Sequence, residues 1–170
     1  VLCETPMALS LGDALAMVLI DERDFRKEHY ARLHPAGAIG RALVMRVKDI
    51  MRTGQRLARL PADATIRDAV MSMTAAKSGV ALITAADGKL AGIFTDGDLR
   101  RHLSERADIL DRPVKSVMTR GPVSVTDAAL AVDVLRLFEK HKIDDLPVVD
   151  AQGLLVGCVD IQDLPKMKVI

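Results

Sequence analysis

The same order of apolar and polar positions occurs twice along this chain. Each copy has a short apolar segment, then an apolar stripe at helical spacing, then two apolar segments joined by a turn. The stripes are Ile66, Ala69, Val70 and Met73 in the first copy and Leu130, Val134, Leu137 and Phe138 in the second. The segments 80–85 and 146–151 are rich in β-branched residues, which is typical of strands, and Gly88 and Gly153 suit the hairpin turns that follow. The pattern therefore predicts the order β-α-β-β-α twice.

Identical residues support the repeat. GIFTDGDLRR (92–101) and GCVDIQDLPK (157–166) align 65 positions apart, whereas VKDIM (47–51) and VKSVM (114–118) align 67 apart. Each copy has roughly 60 residues, which buries too little apolar surface for comfortable stability alone. We therefore expect the two copies to pack face to face.

Residues 1–46 do not repeat. The segment 10–25 predicts a helix with Ser10 as its N-cap, and ALAMVLI (14–20) is apolar on every side, so this helix is expected to be buried in a larger body. The chain begins with Val, and we expect it to be a fragment. No signal peptide or membrane span is predicted, because the longest apolar run is far below the roughly 18 residues a span requires.

Composition narrows the function classes. Lys and Arg number 24 against 23 Asp and Glu, so no general attraction to nucleic acid or to a membrane is expected. Aromatic residues make up 2%, too few for stacking on single-stranded bases. Cys3 and Cys158 do not form a disulfide framework, which favours a cytoplasmic location. Neither a metal site nor a cofactor is predicted.

The segment Thr95-Asp96-Gly97-Asp98 has two readings that the residues leave open. It is a capping-box pattern, which accounts for Thr95 and Asp98 without a ligand. A helix N-terminus is also an anion site, where the Thr95 hydroxyl would bind phosphate. In this second reading the ligand lies in a cleft beside the helix start. Gly79 and Val80 are predicted to line the wall of that cleft, and Arg100 is predicted to neutralise the phosphate.

The second copy departs from this pattern. Asp160 stands where Thr95 stood, while Asp163 keeps the acidic position and remains a candidate ligand residue. A carboxylate facing a phosphate would repel it, so the first copy is expected to hold the competent site. Pro165 is tolerated only in a first helical turn, so the closing helix of this copy is predicted to be short.

The repeat resembles the CBS domain, and the tandem resembles a CBS pair. The resemblance rests on the apolar-Gly-apolar strand followed by Thr-x-x-Asp-Leu in GIFTDGDL, in register with the whole repeat. It implies an α/β (α+β) fold with one CBS domain at 47–106 and a second at 107–170. It also implies a bound nucleotide whose ribose hydroxyls Asp98 would hold, and a homo-oligomer formed through the pairs.

A second resemblance covers almost the entire chain. GDALA (12–16) and HPAGAIGR (34–41), followed by VKDIM and two CBS copies, resemble the D-arabinose 5-phosphate isomerase family. That family has an N-terminal sugar isomerase (SIS) domain, of which 1–46 would be the C-terminal remnant and linker. It interconverts D-ribulose 5-phosphate and D-arabinose 5-phosphate for Kdo and lipopolysaccharide synthesis, and His34 would be its catalytic histidine. The family motif is His-Pro-Gly-Gly, and here Ala36 replaces the first glycine.

The isomerase resemblance implies that the other catalytic residues lie upstream, so the chain alone is expected to be inactive. The ligand would be a nucleotide or nucleotide-sugar of the AMP, ATP or CMP-Kdo type, and the parent's substrate a sugar phosphate. Three alternatives stay open: a free-standing nucleotide-sensing CBS protein, a structural CBS pair without ligand, and a paralogous isomerase of sugar-alcohol metabolism.

Overall fold

The computed structural model of the protein describes residues 4–26, 29, 45–105 and 108–165. It has two compact units, 1–44 and 45–170. Among the described residues, four helices have eight or more residues: α1 Glu4–Glu22, α3 Ile66–Ala76, α4 Asp96–Glu105 and α5 Ala131–His141. The short helix α2 Val47–Ile50 lies between α1 and α3 in the sequence. The strands are β1 Arg59–Pro61, β2 Val80–Thr84, β3 Leu90–Thr95, β4 Thr119–Arg120, β5 Val125–Thr126, β6 Asp145–Val149 and β7 Leu155–Asp160.

The first unit is described mainly by helix α1. The helix begins at Glu4, six residues before the predicted start, and the prediction that Ser10 is its N-cap is wrong. Ser10 lies inside the helix, where its hydroxyl donates to the Pro6 carbonyl at 2.9 Å. The apolar side chains of α1 are exposed within this unit, including Leu9, Leu15 and Met17. No helix in the described part of the chain is long and apolar enough to cross a membrane.

Each repeat forms its own small mixed sheet. The first has the order β1-β2-β3-β4, with β1 and β2 parallel and the other pairs antiparallel. The second has the order β5-β6-β7, with the same parallel and antiparallel arrangement. Gly88 and Gly153 have φ values of 83° and 82°, as the predicted turns require. The mixed α+β fold with two related halves is confirmed.

The closing segments of the two repeats differ in length. Helix α4 covers the ten residues DGDLRRHLSE and begins directly after Thr95, where the capping-box pattern predicts a helix start. After β7 of the second repeat, the described residues contain only a 3-10 helix, Ile161–Asp163, shortly before Pro165. The prediction of a short closing helix agrees with this part of the chain.

Strand β2 is buried on both faces because it lies between two apolar layers. Ala81 and Ile83 face α3 and belong to the core of the first repeat. Val80 and Leu82 face the opposite way and pack with Cys158 of the second repeat. This alternation follows the period of two in a strand. The two copies therefore pack face to face, as expected, through the sheet faces that carry Val80, Leu82 and Cys158.

The segments that precede the two repeats are exchanged between them. Val47 and Ile50 of α2 lie in the apolar core of the second repeat, whereas Val114 lies in the core of the first. Backbone hydrogen bonds continue the exchange. The amide of Arg52 donates to the Cys158 carbonyl at 2.7 Å, and Cys158 donates back at 3.1 Å. Each lead-in segment therefore joins the sheet of the opposite repeat.

Glycine at two positions makes this exchange possible. A Cβ on Gly92 would lie 2.9 Å from the Thr119 carbonyl oxygen and 2.6 Å from Met118 Sδ. A Cβ on Gly157 would lie 2.9 Å from the Arg52 carbonyl oxygen and 2.6 Å from a methionine sulfur of the crossing segment. A carbonyl oxygen in a paired backbone cannot move aside as a flexible side chain can. Strands β3 and β7 therefore need glycine at these positions, because the lead-in segment that crosses each strand leaves no room for a side chain.

We predict that Gly92→Ala destabilises the paired repeats by about 1–3 kcal/mol, because the added methyl group meets backbone and must displace it. The free energy of unfolding in urea measures this loss. The control is Gly97→Ala, whose Cβ would lie 3.5 Å from Thr95 Oγ1, an ordinary contact. The free energy of unfolding of that variant should equal or slightly exceed that of the natural chain. A Gly92→Ala variant as stable as Gly97→Ala would show that the crossing is not tight.

Candidate functional site

A cleft of about 850 Å³ opens at the junction of the two repeats. Three segments form most of its wall: Thr95–Asp98 at the start of α4, Gly121–Val123 after β4, and His141–Asp145 at the end of α5. The first segment belongs to one repeat and the last to the other. A ligand in this cleft would therefore contact both repeats at once.

Thr95 and Asp98 form the complete capping box that their spacing predicts. Asp98 Oδ2 accepts from the Thr95 amide at 3.0 Å and from its hydroxyl at 2.9 Å, and the Asp98 amide donates to Thr95 Oγ1 at 3.1 Å. Asp98 Oδ1 accepts from Arg101 Nη1 at 3.0 Å. The Asp96 amide donates to the Gly79 carbonyl at 3.0 Å. Most donors of this turn are thus already used within the protein.

The other residues that the sequence proposes for the site lie in different surroundings. Gly79 and Arg100 line the cleft and are exposed. Val80 is 1% exposed, and its side chain packs in the apolar layer between the repeats, not on the cleft wall. Asp163 is buried and does not line the open cleft. His34 lies outside the described residues.

Asp163 and Asp160 share one buried cation, Arg52. Arg52 Nε donates to Asp163 Oδ2 at 2.6 Å, and Arg52 Nη2 lies 2.6 Å from Asp160 Oδ2. Arg52 Nη1 also donates to the Lys77 carbonyl at 3.3 Å. Arg56 adds a second contact to Asp163 Oδ2 at 2.8 Å. The hydrogen bond that the Arg52 guanidinium donates to Asp163 raises the pKa of Arg52, so this group stays charged.

Asp145 is an acidic residue of the cleft that sequence reasoning missed. It is the register partner of Asp160 and occupies the position that Val80 has in the first repeat. Burial raises the pKa of Asp145 to about 7, and the charges of Asp160, Asp144 and Asp96 act in the same direction. The Arg52 guanidinium partly opposes them. The charge of this side of the cleft therefore changes near neutral pH.

The cleft is rich in carboxylates but does not have the arrangement of a metal site. Among the described residues, no three His, Cys, Asp or Glu side chains are placed to hold a metal ion. Arg100 and Lys142 line the same cleft and supply positive charge. Cations and carboxylates together suit a polar organic ligand that has both an anionic group and hydrogen-bond donors.

The missed residues have a signal in the sequence, but it needs the two copies to be compared position by position. At the offset of the lead-in segments Arg52 corresponds to Thr119, and at the offset of the repeats Asp145 corresponds to Val80. In each pair one residue is charged and the other is not. Within one copy alone, Arg52 has the pattern of an ordinary solvated cation, because nothing local indicates that it is buried.

The repeats match a known family. The model for the CBS domain matches residues 47–105 and 114–166. A solved structure with the same fold is the CBS domain protein PAE2072 from Pyrobaculum aerophilum complexed with AMP, with a TM-score of 0.64 and 27% identity. The match covers 71% of this chain and 90% of that chain.

Curated relatives extend the similarity beyond the repeats. Arabinose 5-phosphate isomerase KdsD from Yersinia pestis is 40% identical over 166 residues, covering 98% of this chain and 50% of that protein. KdsD from Pseudomonas aeruginosa is 41% identical over 160 residues, covering 94% and 49%. The chain spans about half the length of these relatives. With two matched repeats and the pair fold in place, the chain belongs to the CBS domain family, and it is similar to arabinose 5-phosphate isomerases over nearly all its length.

Proposed function

We propose that this chain is the regulatory CBS-pair region of an arabinose 5-phosphate isomerase and that its cleft binds a nucleotide or nucleotide-sugar. The observation that carries the proposal is the cleft at Thr95–Asp98, which two repeats form together. A ligand that contacts both repeats stabilises one arrangement of the pair over others, which is what a sensor requires. The AMP complex of the similar protein PAE2072 supports a nucleotide as the ligand class.

The geometry suggests how each end of a nucleotide would be held. A carboxylate has about four lone-pair sites, and Asp98 uses three of them for Thr95 and Arg101. One remaining site on Oδ1 suits a ribose hydroxyl. The amides of Thr95, Asp96 and Asp98 are bonded within the protein, so phosphate would rely on the Gly97 amide and the exposed Arg100.

The isomerase activity is proposed for the longer parent. At most four residues of this chain lie outside the Yersinia pestis alignment, so the segment before the repeats is included in the similarity. That favours an isomerase over a free-standing sensor. In the parent, His34 would move a proton between C1 and C2 of D-ribulose 5-phosphate or D-arabinose 5-phosphate. We further propose a cytoplasmic homo-oligomer that assembles through the CBS pairs, with CMP-Kdo as a feedback ligand.

A structural role without ligand is the second candidate. It is favoured by the capping box, in which Thr95 and Asp98 have a complete set of internal partners. In that case the repeated phrase would only start a helix, and the pair would serve assembly. The binding experiment below separates the two candidates.

Isothermal titration of the chain with AMP, ATP, CMP and CMP-Kdo should detect binding of at least one of them. Asp98→Ala should weaken that binding about tenfold or more, because a hydrogen bond to a charged group is lost. The matched control is Asp68→Ala. Asp68 forms the same capping box with Thr65, outside the cleft, with bonds of 3.0, 2.7 and 3.1 Å.

Both variants lose a helix cap, so both should lose similar stability, and only Asp98→Ala should lose affinity. Equal affinity in the two variants would remove Asp98 from the site. Absence of heat with all four compounds would favour the structural candidate.

The affinity for a phosphate-bearing ligand should fall as the pH rises from about 6 to about 8. Asp145, with its pKa raised to about 7, becomes charged in this range and repels an anion in the cleft. Titrations with AMP at several pH values measure the slope of the logarithm of the affinity against pH. In Asp145→Asn the side chain stays neutral, and the slope should shrink by about one proton. An unchanged slope would exclude Asp145 as the group whose titration lowers the affinity.

The chain alone should show no isomerase activity, and His34→Gln in the full-length parent should lower kcat at least a hundredfold. Interconversion of the two pentose phosphates measures both. Nucleotide binding by the parent should be unaffected, since His34 precedes the repeats. Activity that survives His34→Gln would exclude it as the proton-transferring residue.

A further inference from the structure

The two halves of the cleft region are related residue by residue. In one half, Arg52 contacts Asp160, Asp163 and the carbonyl of Lys77. The corresponding residues in the other half are Thr119, Thr95, Asp98 and Lys142, and all four line the open cleft. Lys77 and Lys142 both end their helices with φ 51° and ψ 49°. The backbone of the two halves thus has the same local form at this point, and the side chains differ.

The difference lies in what occupies the space. In the half with Arg52, the guanidinium fills the position between the two acidic residues and the Lys77 carbonyl, and the side chain is 9% exposed. In the other half, Thr119 is much shorter, is exposed, and leaves the equivalent position open to solvent. The guanidinium is planar and donates from three nitrogens in fixed directions, so it satisfies several acceptors at once.

We propose that Arg52 is a built-in occupant that closes the second half of the cleft, so the CBS pair takes one ligand per chain, beside Thr95 and Asp98. This rests on the proposed nucleotide-binding function for the open half. An added ligand in the closed half would have to displace a charged group held by two carboxylates and a carbonyl. The same contacts leave Asp160 and Asp163 unavailable for ribose hydroxyls.

The charges of the closed half support the assignment. Asp160 stands at the position of Thr95, and its carboxylate would repel a phosphate if Arg52 were absent. Asp160 therefore depends on Arg52 for charge compensation, whereas Arg52 would keep Asp163 as a partner if Asp160 were replaced. Replacing both at once with the threonines of the open half, Thr119 and Thr95, gives a neutral pair. Asp163 would then keep Arg56 and a capping hydroxyl, as Asp98 keeps Arg101 and Thr95.

The first test is the stoichiometry of AMP binding by titration. The natural chain should bind one AMP per chain, and Arg52→Thr/Asp160→Thr should bind about two. The control is Arg56→Ala, which removes the exposed partner of Asp163 but leaves Arg52 in place. That variant should remain at one. Two AMP molecules on the natural chain, or one on the double variant, would overturn the proposal.

A second test does not depend on nucleotide binding. Arg52→Ala leaves a space of guanidinium shape, and millimolar methylguanidinium should raise the Tm of this variant while leaving that of Arg56→Ala unchanged. Should Arg52→Ala fail to fold, Arg52→Ala/Asp160→Asn, with one carboxylate fewer, is measured in its place. No rise in Tm would overturn the assignment of a discrete guanidinium position.

The two tests distinguish a failure of the nucleotide-binding proposal from a failure of the proposal that Arg52 occupies the closed half. Rescue by methylguanidinium, with no binding of AMP, ATP, CMP or CMP-Kdo to the natural chain, would reject the nucleotide function and keep Arg52 as the occupant. AMP binding at two sites on the natural chain would keep the function and reject the occupant.

Discussion

The close crossing of each lead-in segment over a glycine of the opposite repeat is the constraint on which the rest of the fold depends. At Gly92 and Gly157 a backbone carbonyl oxygen lies 2.9 Å from where a Cβ would be, which is too close for any side chain. The crossing places Val47 and Val114 in the cores of opposite repeats, so neither repeat has a complete core without the other. It also carries Arg52 and Thr119 to the two related positions beside the cleft, because the backbone of each lies at its crossing.

The near-symmetry of the pair is broken by charge, and the proposed single ligand position rests on that difference. One half has Thr95, Asp98 and Thr119, and it stays open. The other has Asp160 and Arg52 at the related positions, joined at 2.6 Å. A repeat that arises by duplication can keep its packing residues and still specialise one half for a ligand and the other for stability, since the polar residues lie at the edges of the cores.

Elements with a strong local pattern could be predicted from the sequence, and those defined by the partner could not. Helix α4 begins where predicted because its N-terminus carries a capping box, whereas α1 begins earlier than predicted because Pro6 is compatible with a first helical turn. Strand β4 has only two residues and no periodicity. The exchange of lead-ins leaves no local signal, and so the burial of Arg52 and Asp145 at the site went unpredicted, while Thr95 and Asp98 were found through their motif.

A crystal structure of the natural chain grown with AMP would test the central claim most directly, which is that the first half of the cleft receives the ligand while Arg52 closes the second. The account predicts AMP density beside Thr95 and Asp98, with the Arg52 guanidinium still bonded to Asp160 and Asp163. Density for AMP in the place of that guanidinium, with Arg52 turned out to solvent, would contradict it.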